Sequence, residues 1–263
     1  MAKHTPSIRK RLTRSKVAWL TATRGLRVAT MDRAHVYPDL GLIYNRIKKS
    51  GNSSISLYLN ELVAGESISA GTSMTRAAYR SELKNARSSG KRLEDLSVRE
   101  LLAARRYYRF TIFRNPYARC LSGFLDKVAS AKSRYSCFPG AGRQDADGFS
   151  DFVGFLETGG LWVNKHFWPQ CDLLMAPPDE FDHVGQLENL REEMKRVCAA
   201  VSVTLPVSLD LSKPHSLERS YQGKVQGAAG RVAEFYDDSL YPRVAALYQQ
   251  DFTVGRYDPA WRP

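Results

Sequence analysis

A short polar loop in the first quarter of the chain carries residue types that bind anions. The loop is made of Lys48, Lys49, Ser50, Gly51, Asn52, Ser53 and Ser54. Backbone N–H groups, a helix N-terminus and a side-chain cation together form a phosphate site, and a loop of this composition supplies all three. The alternative is a basic surface turn in which Gly51 takes a positive φ. A Walker A motif is excluded because the lysines precede the glycine.

A second candidate position is an arginine that directly follows an aromatic and β-branched segment. The composition of residues 107–113 predicts a strand, and Arg114 stands at its carboxyl end. A guanidinium binds phosphate through two parallel hydrogen bonds, which an ammonium cannot do. Asn115 and Pro116 are typical of a helix N-cap and first helical position, and we expect that helix to run to about residue 129. Ser122 falls on roughly the same side of it as residue 115.

The elements around these residues predict how they come together. We expect strands within residues 40–47, 107–113, 171–175 and 182–186, and helices near 54–64, 74–87, 149–157, 188–201 and 230–252. Strands separated by helices are typical of an α/β domain with a mainly parallel sheet. In such sheets ligands bind outside the carboxyl ends of the strands. The loop and Arg114 are therefore expected to form one site, for a ligand with two separate phosphate groups.

Charge and composition restrict the partners of the chain. Lysine and arginine number 39 against 27 aspartate and glutamate residues, and this net charge of +12 favours anionic partners. We expect residues 1–38 to form a basic N-terminal extension and residues 39–263 to form a single domain. No apolar stretch has the length of a membrane span or a signal peptide, so we expect a cytoplasmic location. The four cysteines lack the paired spacing of a zinc site.

Four segments, in order along the chain, resemble the carbohydrate sulfotransferases, a family that includes the chondroitin/dermatan and heparan 2-O enzymes. Residues 44–54 resemble the loop that binds the 5′-phosphosulfate group, and residues 110–127 resemble the segment that binds the 3′-phosphate. Residues 166–170 and 181–190 are similar to two further elements of the family. The resemblance covers roughly residues 40–257 and is most specific in the second segment.

The resemblance implies a P-loop-NTPase-like central parallel sheet flanked by helices. It also implies sulfuryl transfer from 3′-phosphoadenosine 5′-phosphosulfate to a hydroxyl, with no metal required. Lys49 would contact the bridging oxygen of the leaving phosphate, residues 50–54 would surround the phosphosulfate, and Arg114 and Ser122 would bind the 3′-phosphate. The family usually has proline where this chain has Lys48. The catalytic lysine could therefore be either one, although the spacing of the following residues favours Lys49.

The acceptor hydroxyl needs a general base, and histidine is the usual one near neutral pH. His166 is the best candidate, and Glu61 and Asp126 are alternatives; a histidine packed against Trp168 for structural reasons is the other interpretation. The nearby aromatic residues would either stack on a sugar or form core: Trp162, Phe167 and Trp168. The residues that by position would cover the nucleotide are Lys213, Ser216 and Arg219.

Two other classes of function are compatible with these residues. A P-loop nucleotide kinase would bind ATP with magnesium, but the chain lacks a Walker A lysine and a clear aspartate at the end of an apolar strand. A non-enzymatic polyanion-binding module would show steep salt dependence, but it has no need to pair Lys49 with Arg114. For the leading hypothesis we expect a hydroxyl-bearing acceptor, a glycan, with no specific nucleic acid and no membrane span.

Overall fold

The computed structural model of the chain describes residues 15–16, 28–64, 89–130, 135–204 and 227–263. The helix expected near residues 74–87 lies outside the described residues. So do most of the expected N-terminal extension and Lys213, Ser216 and Arg219.

A five-stranded mixed sheet forms the centre of the described fold. Its strands are β1 (Ala34–Tyr37), β2 (Leu42–Asn45), β3 (Lys91–Arg92), β4 (Tyr108–Phe113) and β5 (His183–Gln186). Their order across the sheet is β3-β1-β2-β4-β5. Strand β4 runs parallel to both of its neighbours, with Phe110 opposite Tyr44 of β2 and His183 of β5.

The expectation of a parallel sheet is correct for β2, β4 and β5 and wrong for the other edge, where β1 is antiparallel to both β2 and β3. The cause is the connection between β1 and β2, a single 3₁₀ turn, Pro38–Leu40, that ends at Gly41 with a φ of 62°. So short a connection reverses the chain, whereas parallel strands need a crossover of a dozen or more residues. Residues 34–37, expected within the N-terminal extension, are therefore part of the sheet.

Helices flank the sheet. The α-helices of the described residues are α1 (Asn52–Ala64), α2 (Val98–Ala104), α3 (Pro116–Gly123), α4 (Ala146–Glu157), α5 (Leu190–Ala200), α6 (Val232–Phe235), α7 (Leu240–Leu247) and α8 (Gln249–Gly255). Helix α3 continues directly into one π-helical segment, Phe124–Val128. The 3₁₀ segments besides Pro38–Leu40 are Val28–Arg33, Leu93–Asp95, Gly160–Trp162, Cys171–Leu173, Pro178–Glu180, Leu187–Asn189 and Ala229–Arg231.

The strand expected over residues 171–175 is wrong. The segment begins with the 3₁₀ turn Cys171–Leu173 and lies against a face of the sheet instead of pairing at its edge. Its backbone is satisfied by a side chain, since the Asn45 amide donates to the Leu173 carbonyl at 3.2 Å and accepts from the Met175 N–H at 2.8 Å. The apolar composition of this segment therefore reflects burial on a sheet face.

The two faces of the sheet bury different residues because side chains alternate along a strand. On one face, Tyr44 and Phe110 stack with ring centroids 4.9 Å apart, in a cluster that α1 and α5 complete. On the other face, Ile43 packs with α2 and with Leu173. A third, aromatic-rich cluster joins α3, the π-helical segment, α4 and the C-terminal helices. Helices thus pack on both faces of the sheet, and this packing holds the ends of its strands in place.

Candidate functional site

The carboxyl ends of the three parallel strands meet at one edge of the sheet. β2 is followed there by the β2–α1 loop, residues 46–51, and β4 is followed by the β4–α3 junction, residues 114–115. The two connections touch, because the Arg114 Nη1 donates a hydrogen bond to the Lys49 carbonyl at 3.2 Å. The structure therefore brings Lys49 and Arg114 together at the strand ends, which is where ligands bind in α/β sheets.

The backbone of the β2–α1 loop contains two residues in the left-handed region. Lys49 has a φ of 70° and Gly51 a φ of 67°. A positive φ is costly for a residue with a side chain, so Lys49 is held there by its surroundings. Left-handed residues within a turn direct successive N–H groups into one concavity that suits an anion. The loop thus has two left-handed residues, which are typical of an anion-binding nest, while the Ser50 N–H between them is bonded to the Ile47 carbonyl at 3.3 Å.

The N-terminus of α1 adds unpaired amides to this concavity. The backbone hydrogen bond from the Ile55 N–H to the Gly51 carbonyl is 3.0 Å long. The N–H groups of Asn52, Ser53 and Ser54 precede it in the first turn, where a helix offers them no acceptor. Such a turn attracts negative charge.

Arg114 of the β4–α3 junction and Arg119 of α3 bind the carbonyl groups of the loop. The Arg119 Nε donates to the Lys48 carbonyl at 3.0 Å, next to the Arg114 bond to Lys49. Arg119 is 1% exposed, and its Nη2 has no hydrogen-bond partner within the described residues. Side chains of the β4–α3 region thus hold the carbonyls of both lysines of the loop.

Gln170 joins the two connections. Its side-chain oxygen accepts from the Ser50 hydroxyl and from the Arg114 N–H, both at 2.9 Å. Its side-chain nitrogen donates to the Arg114 carbonyl at 2.9 Å. Gln170 is fully buried, and a buried polar group that lost such partners would be destabilising. The loop and the junction are therefore parts of one hydrogen-bonded unit.

Asp251 of α8 supports Gln170 from behind. Its carboxylate accepts from the Gln170 N–H at 2.7 Å and from the Cys171 N–H at 2.9 Å. Burial raises the pKa of Asp251, and the nearby Arg119 guanidinium opposes that rise. The sequence reasoning assigned no role to Gln170, Arg119 or Asp251. The only local signals were a glutamine and an arginine within otherwise apolar segments.

Lys49 carries the main cation of the loop. Its Nζ lies 2.9 Å from the Asp126 Oδ2, and the Lys127 Nζ lies 2.8 Å from the same oxygen. Burial lowers the pKa of Lys49 to about 8, while Asp126 raises it and Lys127 and Arg114 lower it further. Asp126 and Lys127 stand on the π-helical segment, a distortion that is frequent at functional sites.

Lys48 has a different environment. Its pKa is also lowered to about 8, first by burial and then by three cations, Arg33, Arg46 and Lys127. Among the residues that the structure describes, the Lys48 amine makes no hydrogen bond or ion pair. It is therefore a cation available to an anionic ligand, but it lacks the carboxylate that faces Lys49.

Arg114 stands at the β4–α3 junction, and Ser122 belongs to α3, which follows it. Burial lowers the pKa of Arg114, and the Glu188 carboxylate counteracts that effect. The guanidinium remains charged at neutral pH. The Ser122 hydroxyl is partly exposed and makes no hydrogen bond within the described part of the chain. Both side chains retain hydrogen-bonding groups for a ligand.

The remaining polar residues of the loop divide into two groups. The Ser50 hydroxyl is used by Gln170, and the Asn52 side-chain oxygen accepts from the buried Tyr44 hydroxyl at 2.9 Å. These two side chains therefore shape the loop, and a ligand would meet the backbone amide of Asn52, since the Ser50 N–H donates to the Ile47 carbonyl at 3.3 Å. Ser53 and Ser54 are partly exposed in the first turn of α1, and no hydrogen bond of their hydroxyls occurs in the described ranges.

His166 lies close enough to the loop for its ring to respond to the loop's charges. Its pKa is lowered to about 3, first by burial and then by Lys48, Lys127 and Lys49. The Asn164 side-chain oxygen accepts from the His166 N–H at 3.0 Å and lies 2.7 Å from the ring Nδ1. An acceptor at that position assigns the proton to Nδ1 and leaves the Nε2 lone pair free. His166 is thus a neutral ring with an available acceptor.

The other residues considered for this region are placed as follows. Phe167 is 2% exposed and belongs to the aromatic core. Trp162 is half exposed and meets Trp168 edge to face, with ring centroids 5.6 Å apart. Glu61, an alternative base, is buried within α1. Asp126 is engaged by Lys49 and Lys127.

The described ranges hold neither a cluster of metal-binding side chains nor a membrane-spanning helix. No group of three or more histidine, cysteine, aspartate or glutamate side chains is arranged there to bind a metal ion. No helix among those residues is both long enough and apolar enough to cross a membrane.

One of three comparisons with known proteins finds a match. A family model described as the sulfotransferase family matches residues 32–258, which include every strand of the sheet, the β2–α1 loop and the β4–α3 junction. The corresponding comparisons with curated proteins and with solved structures find no match.

Proposed function

The chain belongs to the sulfotransferase family, and we propose that it transfers a sulfuryl group from 3′-phosphoadenosine 5′-phosphosulfate to a hydroxyl of a carbohydrate or a related acceptor. The proposal rests on one observation: the Gln170 side chain is hydrogen-bonded to both the β2–α1 loop and the β4–α3 junction and so holds them together. Each connection contributes one cation, Lys49 or Arg114. Two fixed cationic positions suit a donor with two separate phosphate groups, which distinguishes this donor from ATP.

The chemistry of the residues present fits such a donor. The left-handed backbone at Lys49 and Gly51 and the first turn of α1 offer N–H groups to the 5′-phosphosulfate. Lys48 adds a second ammonium without a partner among the described residues. Arg114 and Ser122 offer the donors that a 3′-phosphate needs.

The donor, when bound, supplies a sulfuryl group activated by its bond to a phosphate. In an in-line displacement the acceptor oxygen forms a bond to sulfur while the bond from sulfur to the bridging oxygen breaks. The bonding electron pair stays on the phosphate oxygen, and the hydroxyl proton passes to a base. Lys49 stabilises the charge that develops on the bridging oxygen, because a fixed cation acts most strongly where charge appears in the transition state.

His166 receives the acceptor proton at Nε2. The ring is neutral at physiological pH and Asn164 fixes its tautomer. The neighbouring lysines oppose its protonation in the free protein, and an anionic ligand offsets their charge and raises the pKa of His166. The proposal includes no metal, since the lysines and arginines of the site supply positive charge directly.

Calorimetric titration with 3′,5′-adenosine bisphosphate tests the donor. The protein is expected to bind this compound more tightly than ATP, and Arg114→Ala is expected to weaken binding at least tenfold, because about 1.5–3 kcal/mol is typical of a hydrogen bond to a charged group. Arg99→Ala serves as a control, because Arg99 is exposed on α2. Tighter binding of ATP, or unchanged binding by Arg114→Ala, would contradict the assignment.

Transfer of radiolabelled sulfate from the donor to a panel of neutral and acidic glycans tests the acceptor. We expect label on at least one glycan and none on proteins or nucleic acid. Label on a non-carbohydrate alcohol alone would retain the donor assignment and overturn the acceptor class.

A further inference from the structure

One carboxylate oxygen lies between two lysine amines beside the loop. The Asp126 Oδ2 is 2.9 Å from the Lys49 Nζ and 2.8 Å from the Lys127 Nζ. All three side chains are largely withdrawn from solvent, with 19% of Lys49, 29% of Asp126 and 17% of Lys127 exposed. At such burial an ion pair is screened less than a surface pair, so its geometry has energetic weight.

Asp126 and Lys127 stand on the π-helical segment that continues α3. The segment is Phe124–Val128, and the Ala129 N–H bonds to the Phe124 carbonyl, five residues back. The two side chains are adjacent in sequence, and the Asp126 carboxylate contacts both the Lys127 amine and the amine of Lys49 from the β2–α1 loop. A π-helical turn of this kind is frequent at functional sites.

The charges that face Lys49 come from several elements. Within the described residues, Asp126 is the anion that acts on its amine, whereas Lys127 on the same segment and Arg114 of the β4–α3 junction are cations. His166 also faces it, as a neutral ring. Lys48 is the adjacent residue of the loop. A buried ammonium among cations loses its proton more readily unless a carboxylate offsets them.

The geometry points to Asp126 as a positioning residue that holds the Lys49 ammonium in place and in its charged form, while the acceptor proton goes elsewhere. This inference rests on the proposed function, in which Lys49 acts on the leaving oxygen. A neutral amine could neither stabilise that oxygen by charge nor donate to it as strongly. Since the pKa of Lys49 is already about 8 with the carboxylate present, its removal would leave much of the amine neutral near pH 7.5.

Steady-state kinetics of Asp126→Asn separate this role from others. We expect kcat at pH 7.5 to fall about threefold or more, because losing one pH unit from a pKa of about 8 lowers the charged fraction of the amine from about three quarters to about one quarter. The alkaline limb of the pH–rate profile should move to lower pH, and the donor KM should change little, since the lost carboxylate charge offsets the lost ammonium charge. Asp126→Glu should restore most of kcat.

A general base at Asp126 predicts the opposite pattern. Asp126→Asn would then lose the acidic limb of the profile and keep its alkaline limb, and this result would overturn the inference. A uniform loss of activity with an unchanged alkaline limb would overturn it too, since that pattern indicates a purely structural role.

A measurement without donor keeps the inference separate from the proposed function. Lysines of the whole protein are converted to ¹³C-dimethyl-lysine, which retains the charge, and titrated by NMR, with Lys49→Arg used to assign the Lys49 signal. In the parent protein this signal should titrate near pH 8, and in Asp126→Asn at least one pH unit lower. Asp147→Asn, at a carboxylate 90% exposed, is the control and should not move it.

An unchanged Lys49 titration in Asp126→Asn overturns the inference even if sulfuryl transfer is confirmed. Absence of sulfuryl transfer in the parent protein overturns the proposed function, while the NMR titration still decides whether Asp126 keeps Lys49 charged.

Discussion

The β2–α1 loop and the β4–α3 junction lie side by side at the strand ends and are fixed by different kinds of interaction. The start of α3 is stabilised locally, since the Asn115 side chain accepts from the N–H groups of Tyr117 and Ala118 at 3.0 and 3.4 Å and Pro116 occupies the first helical position. Gln170 and Glu188 also bind the backbone of the junction. The loop depends on residues distant in sequence. Arg114 and Arg119 bind its carbonyls, and Gln170 binds Ser50.

This difference concerns more than sequence distance. A capped helix start has its geometry set by residues within one turn. The loop instead contains a lysine in a left-handed conformation, which local preferences oppose. The start of α3 is therefore set largely by its own residues, whereas the loop forms only when the domain has folded around it.

The largest effect expected from this contrast concerns the two lysines of the loop. Lys49→Ala should lower kcat by about 10²–10³-fold, the range typical of losing one fixed group that stabilises transition-state charge, while the bisphosphate still binds. Lys48→Ala should mainly weaken donor binding, because its amine forms no hydrogen bond or ion pair within the described residues and remains available to an anion. Sulfuryl-transfer assays and calorimetry measure both. Full turnover in Lys49→Ala with loss in Lys48→Ala would move the catalytic role to Lys48.

A second prediction concerns Gln170, the residue that joins the loop to the junction. Gln170→Ala leaves three buried partners unsatisfied, on Ser50 and on both backbone groups of Arg114. At about 1–3 kcal/mol for each unsatisfied group, the free energy of unfolding should fall by about 3 kcal/mol or more.

Urea denaturation measures the loss in Gln170→Ala. Gln186→Ala is the matched control, since Gln186 also binds backbone carbonyls but is only half buried, and a loss below about 1.5 kcal/mol is expected there. Equal losses in the two variants would mean that burial of Gln170 has no special importance.

A smaller effect is expected at the locally stabilised junction. Asn115→Ala removes the cap of α3 and should lower the free energy of unfolding by about 1 kcal/mol. Asn115→Ser keeps a capping oxygen and should retain most of the stability. Thermal and urea denaturation of the pair provide the test. If serine were no better than alanine, the side-chain cap would not be what fixes this junction.

The smallest effect isolates the strain in the loop. Lys49→Ala and Lys49→Gly both lack the amine and differ in the Cβ atom, which is unfavourable at a φ of 70°. Lys49→Gly should be more stable than Lys49→Ala by about 1 kcal/mol, and both should show the same loss of kcat. An alanine variant as stable as the glycine variant would show that the loop relaxes when the amine is removed.

The sequence predicted what depends on neighbouring residues. The start of α3, the strand before it and helices α1, α4 and α5 follow from composition, capping and periodicity, and the structure confirms them. The antiparallel pairing of β1 was missed, although the short connection through Pro38 and Gly41 carried the signal.

The tertiary support of the site could not be predicted from one sequence. Gln170 lies 120 residues from Ser50 and 56 residues from Arg114, and its partner Asp251 lies a further 81 residues along the chain. The left-handed Lys49 has no local signal, because glycine is the residue that such a conformation favours. Residues 171–175 were misassigned because burial on a sheet face and pairing within a sheet produce the same apolar pattern.

The bonds of Gln170 to both connections have a consequence for ligand selection. Because one rigid amide spans Ser50 and Arg114, the two connections cannot separate without breaking buried hydrogen bonds. Under the proposed function, the site therefore selects ligands by the distance between their two anionic groups. A nucleotide with all its phosphates in one chain, or with its second phosphate on the 2′ position, would bind at one of the two connections and fail to reach the other.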